Sequence, residues 1–150
     1  MIQRWVVALA VVFLLFAFLS GCSGCSGGSS GSDTEAIRGV VEGYFAALNV
    51  PDEEKAYGYV LPESAAAGWL DAFFTERVPF AEKQGVKYEY SFTIKDITVL
   101  EGGREARVQI SYTFRTVGSQ GGLAAPEFEE TIELQKQGRN WRITVAPLAS

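Results

Sequence analysis

Histidine is absent from all 150 residues. That absence removes the commonest general base, the commonest metal ligand and any imidazole-based pH switch. Cysteine occurs only at Cys22 and Cys25. Two thiolates without imidazole help cannot close a tetrahedral zinc site, and a redox pair belongs at a strand-to-helix turn, not in a Gly/Ser run. Neither a metal nor a cofactor is expected. Phosphate-cradling loops are missing too, because Gly102-Gly103 and Gly121-Gly122 fall in strand connections and open no helix. The G-x-S-type nucleophile elbow is also absent. Positive charge is scarce: 13 Lys and Arg face 18 Asp and Glu, for a net charge of −5. A nucleic-acid partner, which needs a basic face to displace counterions, is not expected.

What is present begins at the amino terminus. Trp5 to Leu19 (WVVALAVVFLLFAFL) carries no charge and follows the single cation Arg4. A basic start, an apolar run and a small-residue exit at Ser20-Gly21 form the anatomy of a secretory signal peptide over residues 1–21. The run is short of the roughly 20 residues that a spanning helix needs, although an uncleaved anchor is the alternative reading. Removing residues 1–21, which hold Arg4 and no acid, takes the formal charge to −6. Leu19-Ser20-Gly21-Cys22 resembles the lipobox of bacterial lipoproteins: a branched apolar residue, two small residues, then cysteine. The resemblance implies that Cys22 receives a diacylglyceryl group and becomes the first residue of the mature chain. It also implies an extracytoplasmic protein, lipid-anchored at the outer face of the cell membrane, or at an outer membrane if the host has one. Cys25 fits less well as the lipid site, because Cys22 would then stand where the pattern wants a branched side chain.

Residues 22–32 read as a Gly/Ser tether, and residues 33–150 as one domain. Ser32-Asp33-Thr34-Glu35 has the form of a capping box. Beyond it Ile37, Val40, Val41, Tyr44, Phe45 and Leu48 recur at helical spacing, which predicts a helix over 33–49. Val50-Pro51-Asp52 breaks it and restarts a short helix, which Pro62 stops. Ser64 caps a third helix, expected to end before Pro79. From Val86 the period becomes two. Val86, Tyr88, Tyr90, Phe92 and Ile94 share one face, and parity flips at Lys95-Asp96, which predicts a β-bulge. A hairpin at Gly102-Gly103 leads to a second strand through Ala106 to Phe114. A third strand carries Phe128, Ile132 and Leu134, and a fourth carries Trp141, Ile143 and Val145.

Helices first and an antiparallel meander second predict an α+β domain, with the N-terminal helices packed in the concave face of a bent four-stranded sheet. IRGVVEGYFAALN, DEEKAYGYV, the paired long strands and the closing GRNWRITV resemble the cystatin-like cone of the nuclear-transport-factor-two-like superfamily, in particular its small bacterial lipoproteins of unknown function. Some members of that superfamily catalyse reactions in the cone, as ketosteroid isomerases and polyketide cyclases do. Here the candidate base is Glu130, on the parity of Phe128, Ile132 and Leu134. A strand end or a bulge would instead let Glu130 reach solvent, and that is the favoured reading. Tyr44, Tyr57, Trp69, Phe73, Tyr90, Tyr112, Phe128 and Trp141 are the candidate pocket lining, or else core. The leading expectation is a non-catalytic module that binds a small apolar ligand or an envelope protein. The alternatives are a cofactor-free isomerase or cyclase, and a structural homodimer through the sheet face.

Overall fold

The computed structural model describes residues 29–118 and 126–147; Cys22, Cys25 and the apolar run lie outside the described residues. Helix α1 spans Ser29–Asn49 and so takes in the last residues assigned by sequence to the tether. Ser32 is an exposed residue inside the helix, not its N-cap. Tertiary contact explains the difference. Asp33, the fifth residue of the helix, accepts from Lys136 Nζ at 2.6 Å and from Trp141 Nε1 at 3.2 Å, and these bonds hold the helix to the sheet just after a first turn of poor intrinsic propensity.

Helix α2, Glu53–Tyr59, starts where Asp52 accepts from the Lys55 N–H at 3.1 Å. It packs closely on α1, and a Cβ at Gly43 would run into the Tyr59 ring. Helix α3, Ala65–Ala72, is capped by Ser64, whose hydroxyl accepts from the Ala67 N–H. The chain does not stop before Pro79. A π-turn at Phe73–Arg77 leads into α4, Val78–Gln84. In the widened turn the Val78 N–H donates to the Phe73 carbonyl, five residues back. Pro79 then falls in the first turn of the next segment, where its missing N–H costs little. Gly85, at φ 64°, ends the helix in the left-handed region.

Four antiparallel strands follow in the order β1-β2-β3-β4: Val86–Val99, Glu105–Gly118, Phe128–Gln137 and Asn140–Val145. The register of β1 on β2 shifts between Ile94 and Asp96, which places the bulge at Lys95 as the parity of the sequence predicts. A second shift, at Glu133/Leu134 opposite Val145 and Ile143, leaves Thr144 unpaired, and its hydroxyl donates to the Glu133 carbonyl. The bulges bend the long strands around α1. The core between sheet and helices is led by Ile37, Val41, Phe45 and Leu48 on α1 and by Ile110, Ile132, Leu134 and Ile143 on the sheet, each at most 2% exposed. Full burial of such a side chain stabilises by about 1.5–3 kcal/mol. Among the described residues no helix is long and apolar enough to cross a membrane.

The two sheet edges are treated differently. The β4 edge is covered by the end of α2, where Val60 bridges Ile143 and the Leu61 N–H donates to the Ile143 carbonyl at 2.8 Å. At the β1 edge a single side chain does similar work. The Asn49 carboxamide accepts from the Tyr90 N–H at 2.6 Å and donates to the Tyr90 carbonyl at 2.9 Å, imitating one residue of a neighbouring strand.

Candidate functional site

The concave face of the sheet is lined by rings, because β1, β2 and β3 each place aromatic residues on their inward parity. Trp69 stacks on Phe73 at 5.0 Å between centroids, and Phe73 meets Tyr90 at 6.4 Å. The row continues from Tyr90 to Phe114 at 6.3 Å, to Phe128 at 6.3 Å and to Tyr112 at 5.4 Å. Tyr44 joins through Phe45, which it meets edge-on at 5.7 Å. Six of the eight nominated aromatics are thus brought together, while Tyr57 and Trp141 stand apart. Tyr57 donates to Asp71 Oδ1 on α3, and Trp141 is engaged with Asp33 and Lys136. Burial is nearly complete for Tyr44, Phe73, Tyr90 and Tyr112, whereas Phe128 is half-buried at one end of the row.

The phenols in this row are held neutral. Burial pushes the Tyr44 hydroxyl well above the ordinary phenol range, and the neighbouring Tyr90 adds to it. Burial also pushes Tyr90 up to about 12, against an opposing effect of Arg77, whose guanidinium lies 5.8 Å over the Trp69 ring. Tyr112 is raised by burial and by the charge of Glu130. Each phenol can therefore donate a hydrogen bond but cannot act as a base near neutral pH. Tyr112 directs its hydroxyl to the Pro147 carbonyl at 3.5 Å. The Tyr44 hydroxyl is buried without a hydrogen-bond partner among the described residues.

Glu130 lies beside Ile110 on β3, next to the Lys95 bulge. It is half-buried and lines a solvent-open groove of about 340 Å³ with Lys95, Gln109, Ile110, Glu129 and Thr131. Among the described residues the one buried polar or charged residue is Ser111, so no carboxylate is fully buried in the aromatic row, although half-buried Glu130 shares its face and acts on Tyr112. No cluster of three acidic or thiol side chains that could hold a metal occurs among the described residues. Sequence reasoning missed Phe114, Arg77 and Asn49. Phe114 was legible by its parity with Tyr112. Arg77 was hidden by the expectation of a helix end, and the bonds of Asn49 reach a residue 41 positions away.

No family model matches the chain, and no curated protein matches it. Solved structures do. A protein from Catenulispora acidiphila in complex with S-DNPA aligns with a TM-score of 0.59 at 12% identity, covering 77% of this chain and 90% of that one. A ketosteroid isomerase-like protein from Erwinia carotovora atroseptica aligns at 0.53 and 15% identity, covering 73% and 89%. A protein of unknown function with a cystatin-like fold from Nostoc punctiforme aligns at 0.50 and 12% identity, covering 75% and 86%. At these identities the likeness establishes the fold: a nuclear-transport-factor-two-like, cystatin-like cone.

Proposed function

We propose that the chain is a lipid-anchored, extracytoplasmic binding module without catalytic activity, whose cone receives a small apolar ligand. The observation that carries this reading is the row of rings, with no fully buried carboxylate, ending at half-buried Phe128, and the Tyr44 hydroxyl unspent behind it. Aromatic surface with a few fixed donors is the chemistry of a ligand site, and here the rings pack on one another in the core, so a ligand would enter by parting them at the Phe128 end. Proton abstraction needs a base that these neutral phenols do not supply. Glu130 shares the face of the row and acts on Tyr112, but its groove is open to solvent, which weighs against the isomerase or cyclase alternative. The homodimer alternative draws little support from the sheet's outer face. There the exposed large apolar side chains among the described residues are Val117 and Val145, near opposite ends of the sheet.

Anchoring rests on the lipobox at Cys22 and on the way the domain is held. With α1 starting at Ser29, the Gly/Ser tether expected from the sequence would end there and not at Ser32. Asp33, Lys136 and Trp141 fix the helix end to which it connects. Two measurements test the proposal. Membrane fractionation should show the Cys22→Ser variant leaving the membrane fraction of its host, and retention there would favour the uncleaved anchor. Native mass spectrometry of the full chain, released from detergent, should show a bound small molecule that Phe128→Lys loses. A ligand-free mass from freshly purified native material would overturn the ligand reading.

A further inference from the structure

The β1 edge carries a second site, separate from the ring-lined interior. Both backbone groups of Tyr90 point away from β2, because both bond the Asn49 side chain. The register of β1 on β2 is unbroken from Val86 to Ile94, so the N–H and C=O of Tyr88, two residues earlier, point the same way. Among the described residues no hydrogen bond reaches them. Tyr88 also lines a slot of about 280 Å³ between α4, the turn after α1 and the start of β1. Its apolar lining comes from Val50, Pro51, Val78, Ala81 and Val86. Val50 stands 76% exposed at the rim. Glu82 and Lys87 flank the slot, and neither has an ion-pair partner within 4 Å among the described residues.

We propose that this slot takes an extended segment of a partner protein, which pairs with the β1 edge at Tyr88, seats one apolar side chain beside Val50, Val78 and Val86, and sets opposite charges against Glu82 and Lys87. Strand addition of this kind draws affinity from backbone bonds and specificity from the pocket for alternate side chains. A second copy of the chain fits less well. Antiparallel β1 pairing centred on Lys87 would set Lys87 against Lys87, and two-fold pairing centred on Tyr88 would meet the Tyr90 groups that Asn49 holds on both sides, whereas a short segment need pair only with Val86 and Tyr88. Helix α1 is about 30 Å long, and its start joins the tether, so the slot at its far end is turned away from that attachment. The proposal stands whether or not the interior binds a ligand.

The test uses the full chain, isotope-labelled in detergent micelles, and two end-blocked pentapeptides: Lys-Thr-Leu-Thr-Glu and its charge-reversed twin Glu-Thr-Leu-Thr-Lys. One twin should shift the Tyr88 amide and the Asn49 side-chain amide saturably below about 1 mM, the other at least tenfold more weakly. N-methylation along the better peptide should weaken binding at least tenfold at residues of one parity and little at the other, the signature of strand pairing. Lys87→Glu, an exposed change that leaves the core untouched, should narrow or invert the preference between the twins. Absence of saturable shifts with both peptides up to about 5 mM overturns the proposal. So does indifference to N-methylation, which would mean a simple apolar hole. A dimer in sedimentation that Lys87→Glu disperses would assign the slot to a second copy, and overturns it as well.

Discussion

Replacing Asn49 with alanine removes the one side chain that closes the β1 edge at Tyr90. Two neutral, part-buried hydrogen bonds are lost, at 2.6 and 2.9 Å. Each contributes about 0.5–1.5 kcal/mol net. The freed Tyr90 groups lie near the open slot and can regain water, so the full desolvation penalty does not apply. The expected loss is about 2 kcal/mol. With a urea dependence of about 1–3 kcal/mol/M, the unfolding midpoint should fall by about 1 M with an unchanged slope. Tryptophan fluorescence and far-ultraviolet circular dichroism would both follow the transition. Asn49→Asp separates the two bonds. At neutral pH a carboxylate still accepts from the Tyr90 N–H but sets charge against the Tyr90 carbonyl, so it should cost at least as much as alanine. In acid the protonated group can donate again, and part of the loss should return. An alanine variant within about 0.5 kcal/mol of the parent would refute the account of this edge.

Other outcomes follow from single groups. The bonds from Lys136 and Trp141 hold the Asp33 carboxyl below its ordinary value of 3.8. Its contribution is therefore fully present above that value and is lost as pH falls through the lower folded value. Asp33→Asn should thus unfold more readily than the parent at pH 6, and the gap should close as pH falls below the ordinary carboxylate value, as the acid-unfolding curves of the two proteins would show. Tyr44→Phe deletes a buried hydroxyl that has no partner among the described residues, so stability should stay level or rise by about 1 kcal/mol in thermal unfolding. A comparable loss would mean that the hydroxyl is bonded. The hydrogen bond from Tyr57 to Asp71 pushes that phenol up to about 12. Asp71→Asn should bring one tyrosine back toward 10 in an ultraviolet titration, and an unchanged curve would contradict the contact.

Strand content was legible because the period of two survives for ten residues or more, and because the parity flip at Lys95-Asp96 can only be absorbed by a bulge. The second bulge, at Thr144, left no such mark, since β4 is too short to show a flip. The end of α3 was misread for a physical reason: Pro79 forbids one backbone bond, and a π-turn four residues upstream re-registers the helix so that the bond is not required. The start of α1 was misread because Asp33, part of a capping box by its sequence pattern, instead sits one turn inside the helix, where it is held by two donors on β3 and β4 more than 100 positions away. Of the nominated site, the rings of Tyr44, Trp69, Phe73, Tyr90, Tyr112 and Phe128 converge because inward parity gathers them. Tyr57 sits on a short helix turned toward Asp71, and no local pattern shows that.

Lipid attachment at Cys22 carries the account of where this domain works, and top-down mass spectrometry of the chain purified from its own host measures it directly. The predicted species begins at Cys22, lacks residues 1–21 and carries the added mass of a diacylglyceryl group on that cysteine. A mature chain that keeps residues 1–21, or that begins elsewhere with Cys22 unmodified, would contradict it.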